Sequence, residues 1–487
     1  MSGTAHPAPR ALRLGRREAR ATKRESQPLE RSLLQTATFC LLALGVVMVF
    51  SASSTTSLLG ESGDGAFFVK RTIIFGAIGL AVMHALSIGG LRFIRAVTPA
   101  ILIGSVALLF LVLLPGFGVQ ANGATRWIAA GPIQLQPSEL AKIALVLYGA
   151  ALLAKRPRTV ASLGEMMPYL VVSGLVGGLI VIEPDLGTAM VAAFAVSALL
   201  IAGGAQLRHL AIIAGVIGLF ALMAIVIEPY RQARLTSFLN PGGDVGGTGF
   251  QGTQATIALG SGGLFGVGLG ESVQKAFYLP EAHTDMIAAV IGEEVGLLGL
   301  AVLVGLFGLF GYAGFRIAQK APDRYGKLLA AGLTAMILSQ ATLNLFAGLG
   351  LAPLTGVPLP FVSYGNSSLI VTLAAAGLIL NVSRGVPTRD GTTGGESRSG
   401  QAATKRSNGS KGRSKPSGRG SGSTTRRARS RTASASDARL HGASGGTRRV
   451  ASSSRGRRGS RGNGPDSSRW NGGARRSGDS SGRRPSR

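Results

Sequence analysis

The chain has 487 residues, of which 46% are hydrophobic and 15% charged, and its formal net charge is +29. The charge is segregated, because residues 391–487 hold 24 basic and 4 acidic residues, residues 1–31 hold 8 and 3, and the 359 residues between them hold 19 and 15. Neither a basic soluble enzyme nor a basic nucleic-acid-binding domain fits this distribution. The composition instead predicts an apolar membrane domain between two basic tails.

Ten stretches of the middle region are long enough to cross a bilayer, for which a helix needs about 20 apolar residues. They lie near residues 33–54, 70–89, 94–114, 138–154, 166–182, 186–203, 209–227, 286–312, 329–350 and 367–383. The first is too long for a secretory signal and is followed by further spans, so it is expected to stay uncleaved. We predict an all-α polytopic membrane protein over residues 32–385, with ten transmembrane helices and a long extracellular loop between helices 7 and 8.

Charged residues in the loops predict the orientation. With both tails in the cytoplasm, the four short inner loops carry ten Lys and Arg, whereas the outer loops carry six over more residues. The positive-inside rule therefore favours cytoplasmic termini. Of the 15 acidic residues in the middle region, 12 then lie on the outer side. This bias indicates polar chemistry at the outer face, although simple tolerance of acidic residues outside would also produce it.

The C-terminal tail, residues 386–487, is rich in Ser, Gly and Arg and is expected to be disordered. Attraction to anionic inner-leaflet lipids, worth about 1 kcal/mol per basic residue, is one role open to it. A solubilising tail that accepts phosphorylation is another. Nucleic-acid binding is not expected, because Trp470 is its only aromatic residue. The single cysteine, Cys40, excludes an intramolecular disulfide and a multi-cysteine metal site.

The first polar cluster of the outer side lies at residues 122–142. It contains Arg126, and Pro137 suits the start of a helix. Glu139 and Lys142 are three residues apart and therefore share one helix face. Lys142 is the only lysine well inside a predicted span, so we expect it to have a partner or an anionic ligand.

Two further outer connections carry polar groups. The turn at residues 183–187 adds Glu183 and Asp185, which serve either as a helix cap or in function. The connection at residues 351–368 contains Ser363 and Ser367, whose hydroxyls can donate to phosphate or sugar. Helix capping explains Ser367 equally well.

The longest loop covers residues 228–285 and has no evident regular structure. Loops of this length are usually functional or disordered, and aromatic residues such as Phe238 and Phe250 argue against disorder here. Its glycine-rich stretch, residues 260–270, lacks the preceding strand and following helix of a nucleotide cradle, so we predict close packing of a re-entrant or membrane-surface segment.

The same loop ends in a series of carboxylates. Asp285 precedes the eighth predicted span, and Glu293 is expected about 12 Å deeper along a helix. Desolvation there raises the pKa of a carboxyl toward the range that a general base needs. His283 is either a ligand or proton carrier or a hydrogen-bonded structural residue.

Five strings in these segments resemble motifs of the SEDS family (FtsW/RodA/SpoVE type) of bacterial cell-wall proteins. They are Gln136–Lys142 (QPSELAK), Glu183–Gly187 (EPDLG), Leu279–Asp285 (LPEAHTD), Ile291–Glu294 (IGEE) and Pro358–Gly365 (PLPFVSYG). The similarity covers about residues 32–385, in order and at compatible spacings. The segment Gly268–Lys275 and Ala282 resemble the cell-division branch more than the elongation branch.

The resemblance implies a peptidoglycan glycosyltransferase that polymerises lipid II into β-1,4 glycan at the outer face of the cytoplasmic membrane. It would act at the division septum, release undecaprenyl pyrophosphate, and work with a class B penicillin-binding transpeptidase and other divisome proteins. No cofactor is evident, and a need for a divalent cation is left open.

The resemblance also assigns roles to residues. Asp285 would be the catalytic residue, and we expect it to take the proton from the acceptor hydroxyl. Arg126 and Lys142 would stabilise the leaving group or the donor. The remaining predicted substrate-binding residues would organise these cations or contact the sugar and phosphate; they are Glu139, Asp185, Glu281, Ser363 and Ser367.

Two alternatives remain beside this interpretation. A lipid II flippase or transporter would also have broken helices and intramembrane charge, but it would place its polar groups near the midplane rather than at one face. A non-catalytic divisome scaffold is the other.

Overall fold

The computed structural model describes residues 29–60, 63–121, 124–130, 133–240, 243, 247, 249–275 and 278–385, so the two predicted tails lie almost wholly outside the described residues. Its helices are α1 (Leu29–Leu59), α2 (Phe67–Ile88), α3 (Leu91–Leu113), α4 (Pro137–Lys155), α5 (Leu163–Ile182), α6 (Leu186–Gly203), α7 (Leu207–Ile227), α8 (Pro229–Leu239), α9 (Phe250–Gly262), α10 (Ile287–Glu294), α11 (Gly296–Lys320), α12 (Arg324–Gly348) and α13 (Asn366–Arg384). Ten of these described helices, α1–α7 and α11–α13, are long and apolar enough to cross a membrane. The prediction of an all-α multi-pass membrane protein is therefore confirmed.

Three spans form the centre of the membrane domain. In the most apolar window of each span, 83% of residues are buried in α13 and 72% in α4 and in α12, against 6% in α7. The helix α13 packs against α2, and α12 packs against α4, α6 and α11. Protein therefore encloses the polar side chains of α4, α12 and α13, which would be costly in contact with lipid.

A small antiparallel sheet connects α3 to α4 and was not predicted. Its strands, in spatial order, are β1 (Gly118–Ala121), β2 (Ala124–Ala130) and β3 (Ile133–Leu135). Strands this short contain too few residues for an alternating pattern to stand out beside apolar spans. The sheet holds Arg126, in β2, next to the start of α4.

The eighth span begins later than predicted. Hydropathy predicts one helix over residues 286–312, whereas the chain forms the short helix α10, breaks, and then crosses as α11. Gly296 has a φ of +74°, a conformation that glycine adopts at little cost and that ends a right-handed helix. Two charged residues, Glu293 and Glu294, precede the break, but the apolar residues around them keep the average hydropathy of the run high, so hydropathy alone does not reveal it.

The long loop contains more regular structure than predicted. It forms two helices, α8 and α9, and its glycine-rich stretch packs against the break between α10 and α11 through backbone contacts. The Val267 N–H donates to the carbonyl of Glu293 at 2.9 Å, and the Leu297 N–H donates to that of Gly263 at 3.0 Å. The glycine-rich stretch is therefore closely packed against the break between α10 and α11.

Replacing Gly262 with alanine should separate α9 from α10. A Cβ at this position would lie 1.9 Å from the carbonyl oxygen of Gly292, which belongs to the backbone of α10. We expect the free energy of unfolding to fall by about 1–3 kcal/mol. Gly252→Ala is the matched control, because a Cβ there meets nothing within 4 Å on the same helix. Equal thermal unfolding midpoints for the two variants in detergent would contradict the packing.

Candidate active site

Asp285 lies in the turn that joins the long loop to α10, here called the Asp285 turn (residues 281–286). Its side chain is buried, with 8% of the residue exposed. Backbone N–H groups of Thr284 and Met286 donate to the carbonyl of Glu281 at 3.1 and 3.3 Å. Glu281 itself has a φ of +55°, which is uncommon for a residue with a side chain. The Thr284 hydroxyl lies 2.7 Å from Glu281 Oε2 and 3.3 Å from Asp285 Oδ1, between the two carboxylates.

The helix α12 also holds the Asp285 turn. Asn344 Nδ2 donates to the backbone carbonyls of Asp285, at 2.9 Å, and Val357, at 2.8 Å. Burial raises the pKa of Asp285 to about 7, the charge of Glu281 adds to the rise, and the charge of Arg234 opposes it. A carboxyl with this pKa is substantially deprotonated at neutral pH and is still basic enough to accept a proton, as a general base must be.

His283 belongs to an aromatic cluster. Its ring centroid lies 4.3 Å from that of Phe68 and 5.6 Å from that of Tyr364. Its carbonyl accepts the Tyr364 N–H at 2.9 Å, which joins the last outer connection to the Asp285 turn. Burial lowers the pKa of His283, against an opposing effect of Glu281, so the ring is neutral at pH 7. These contacts favour the structural interpretation of His283.

The two predicted serines bind backbone groups of the protein. Both are buried. Ser363 Oγ accepts the Leu359 N–H at 2.8 Å and so closes its own loop. Ser367 Oγ accepts the Gln136 N–H at 3.0 Å and donates to the carbonyl of Gln134 at 2.8 Å. Ser367 therefore ties the start of α13 to the start of α4, rather than capping its own helix.

Arg126 reaches from β2 to the turn between α5 and α6. Its guanidinium donates to the carbonyls of Glu183, at 3.2 Å from Nε, and Pro184. Glu183 is completely buried, and neither of its carboxyl oxygens has a hydrogen-bond partner in the described structure. Burial raises the pKa of Glu183 to about 8; the charge of Asp185 adds to the rise and that of Arg126 opposes it. Because Glu183 is mostly neutral at pH 7, it does not cancel the charge of Arg126.

Asp185 caps α6 and also fixes the start of α4. Its Oδ1 accepts the Thr188 N–H at 3.0 Å. Its Oδ2 accepts from Gln136 Nε2 at 2.9 Å and from the Ser138 hydroxyl at 3.3 Å. The helix-cap interpretation of Asp185 is confirmed, and the carboxylate joins the start of α6 to the start of α4 on the same side as the Asp285 turn.

Glu139 and Lys142 form a buried ion pair, which gives Lys142 a partner within its own helix. The Nζ–Oε1 distance is 2.9 Å, and the two side chains are 1% and 0% exposed. Lys142 Nζ also donates to Gln340 Oε1 at 2.7 Å, and Gln340 Nε2 donates to the carbonyl of Pro358 at 3.0 Å. Asn344 is one helical turn further along α12. The face of α12 that carries Gln340 and Asn344 therefore links the Glu139–Lys142 pair to the Asp285 turn.

Two carboxylates at the end of α10 anchor the loop that precedes the Asp285 turn. Glu294 Oε1 pairs with Lys275 Nζ at 2.8 Å and accepts the hydroxyl of Ser51, on α1, at 2.7 Å. Glu293 accepts the hydroxyl of Ser272 at 2.5 Å. All five residues are buried. The sequence predicts a desolvated carboxylate at Glu293, and the structure adds that donors from the loop surround it.

Sequence reasoning missed three residues near Asp285. Gln340 and Asn344 are amides at i and i+4 inside an apolar span, and this pattern was the available signal. Arg234 is on α8, 4.5 Å from the ring of Tyr230, and nothing in the loop sequence distinguishes it. Across the described ranges, no three His, Cys, Asp or Glu side chains group as metal ligands.

Comparison with known proteins supports the resemblance. Residues 31–387 match the model of the FtsW/RodA/SpoVE family, described as cell cycle protein. A probable peptidoglycan glycosyltransferase FtsW of Trichlorobacter lovleyi is 40% identical over 349 residues, which are 71% of this chain and 91% of that protein. Stage V sporulation protein E of Bacillus subtilis is 40% identical over 365 residues, 74% and 98% of the two chains.

Solved structures give the same result. A chain of a peptidoglycan synthase complex, studied for its coordination of polymerization and crosslinking, is 33% identical with a TM-score of 0.59 over 72% of this chain and 96% of that one. The rod shape determining protein RodA of Thermus thermophilus is 31% identical with a TM-score of 0.54 over 73% and 97%. The chain therefore belongs to the FtsW/RodA/SpoVE (SEDS) family of membrane-embedded peptidoglycan glycosyltransferases.

Proposed function

We propose that this protein polymerises lipid II into β-1,4 glycan strands at the outer face of the cytoplasmic membrane during cell division and releases undecaprenyl pyrophosphate. The observation that carries the proposal is the carboxyl of Asp285, which is buried, has a pKa of about 7 and lies at the end of the membrane domain where Arg126, Lys142 and Arg234 also lie. The relatives named FtsW support the division role.

In the proposed reaction, the 4-hydroxyl oxygen of the acceptor sugar attacks C1 of the donor sugar. The bond between C1 and the pyrophosphate oxygen breaks, and the hydroxyl proton moves to Asp285. The leaving pyrophosphate gains negative charge that nearby cations stabilise. Arg126 is half-buried and is the more accessible cation, whereas Lys142 is enclosed and paired with Glu139, so its part is to hold the start of α4 in place.

The proposed partners are lipid II and a class B penicillin-binding transpeptidase. Support comes from the similar chain in the synthase complex that couples polymerization to crosslinking. We place both termini in the cytoplasm and the protein at the division septum, together with other divisome proteins. The basic composition of the tails supports this orientation.

The test is reconstitution of the full-length protein in liposomes with a class B transpeptidase and lipid II. We expect glycan polymer on a denaturing gel, together with released undecaprenyl pyrophosphate. Movement of lipid II between leaflets without polymer would identify a carrier instead. A folded protein that supports neither reaction, yet still binds the transpeptidase, would identify a scaffold.

The polymerisation rate should rise with pH through about 7, because only the deprotonated form of Asp285 accepts a proton. Glu281→Gln removes a negative charge that raises this pKa, so the midpoint of the pH–rate profile should move down. Arg234→Gln removes a positive charge that lowers it, so the midpoint should move up. Initial rates measured across pH check both shifts. Midpoints that stay fixed, or that move in the same direction, would contradict the assignment.

A further inference from the structure

A basic cluster lies at the end of the membrane domain opposite the Asp285 turn, where α1 begins and α11 and α13 end. Its members are Arg31, Arg316, Lys320 and Arg384, together with Glu30. Glu30 pairs with Lys320 and also lies within electrostatic range of Arg316, while Arg31 and Arg384 are close enough to repel one another. Four positive charges therefore face one carboxylate that is already paired.

Two of these arginines have a donor that lacks an acceptor. The Nε atoms of Arg31 and Arg316 are shielded from solvent and make no hydrogen bond within the described structure. A buried donor without an acceptor is unfavourable, and more so when it is charged. The excess charge and the unmatched donors both favour an anion at this position.

The depth of the cluster indicates which kind of anion. Glu30 and Ser51 both lie on α1. Glu30 bonds to Lys320 in the basic cluster, and Ser51 bonds to Glu294 at the opposite end of the membrane domain. Their 21-residue separation corresponds to about 32 Å of helix, close to the thickness of the hydrocarbon core. The cluster therefore lies at the level of the lipid phosphates. Leu29 and Phe315, adjacent in sequence to its members, are 69% and 38% exposed and offer apolar surface to acyl chains.

We propose that Arg31, Arg316 and Arg384 bind the phosphate of an anionic phospholipid headgroup. Guanidinium groups match phosphate oxygens in geometry as well as in charge. Lys320 contributes less to phosphate binding because it is already paired with Glu30. The bound lipid joins the ends of α1, α11 and α13. This site is distinct from the glycosyl-transfer site and does not depend on the proposed reaction.

The test is native mass spectrometry of the delipidated full-length protein, titrated with phosphatidylglycerol or with zwitterionic phosphatidylethanolamine. Wild type should bind one phosphatidylglycerol in preference to phosphatidylethanolamine. The double variant Arg31→Gln/Arg316→Gln should bind phosphatidylglycerol about 30-fold more weakly, at about 1 kcal/mol per removed charge. Both tails are present in every protein, so lipid bound by the tails is common to all of them.

The matched control is Lys155→Gln/Arg156→Gln. The helices α4 and α13 begin together, at Gln136 and Ser367, so their C-terminal ends lie on the same side of the membrane. Lys155 and Arg156 are exposed, and removing them takes the same charge from that side without touching the cluster. We expect phosphatidylglycerol affinity within about twofold of wild type, since exposed charges are screened. An equal loss of phosphatidylglycerol affinity in both double variants would indicate general charge attraction and would overturn the proposed site.

Inorganic phosphate distinguishes the source of the anion. It should not displace phosphatidylglycerol at millimolar concentration, because it lacks acyl chains; full displacement would overturn the lipid site in favour of a soluble anion. If the double variant does not fold, Arg384→Gln at the exposed end of α13 replaces it. That variant should weaken phosphatidylglycerol binding about fivefold. Unchanged affinity would overturn the proposal.

Discussion

Replacing Asp285 with asparagine should slow lipid II polymerisation about 100- to 10,000-fold, the contribution of a positioned general base. Asparagine has nearly the same shape as aspartate but accepts no proton at neutral pH. The contact with Asn344 should survive, because it uses the backbone carbonyl of residue 285. Initial rates of polymer formation by the reconstituted protein and its transpeptidase check the prediction.

The control for this variant is Asp64→Asn. Asp64 lies after the end of α1, at the same end of the membrane domain as Asp285, but it is exposed and pairs with Lys70 at 2.7 Å. Its removal should leave the polymerisation rate unchanged. The Asp285→Asn protein should keep its thermal unfolding midpoint, since it no longer needs to bury a carboxyl. A folded Asp285→Asn protein that polymerises at the wild-type rate would exclude Asp285 as the base.

The spans were predictable because a bilayer imposes a strong constraint on sequence. Every helix that crosses it needs about 20 apolar residues, and all ten predicted spans correspond to helices of that kind. The break at Gly296 was not predictable from hydropathy, since it depends on the backbone conformation of one glycine. The sheet around Arg126 was not predicted either, because its strands have only three to seven residues, too few for an alternating pattern to be recognised.

Some contacts of the candidate site follow from local sequence spacing, and others depend on tertiary packing. The shared helix face of Glu139 and Lys142 depends only on i, i+3 spacing, so the sequence was sufficient to predict it, whereas the choice of Glu139 over an anionic ligand as partner was left open. Gln340 is 198 residues from Lys142, and Asn344 is 59 residues from Asp285. Partners at such separations follow from how α12 packs, which no local pattern contains.

Replacing Lys142 with methionine should lower the free energy of unfolding by about 3–5 kcal/mol. Methionine fills a similar volume, so the change mainly removes charge and hydrogen bonds. It leaves the carboxylate of Glu139 buried without its cation, and Gln340 Oε1 without its 2.7 Å donor. Gln340 also holds Pro358, so the last outer connection should loosen and polymerisation should slow. Denaturant unfolding in detergent micelles measures the stability change.

A second substitution separates the lost charge from lost packing. In Lys142→Met/Glu139→Gln no buried carboxylate is left unpaired, so the double variant should recover most of the stability that the single variant loses. Lys70→Met is the exposed control; its pair with Asp64 is 64% and 43% exposed, so its loss should cost about 0–1 kcal/mol. If Lys142→Met is no more destabilising than Lys70→Met, or if the double variant is as unstable as the single, burial of the Glu139 charge is not what makes Lys142 necessary.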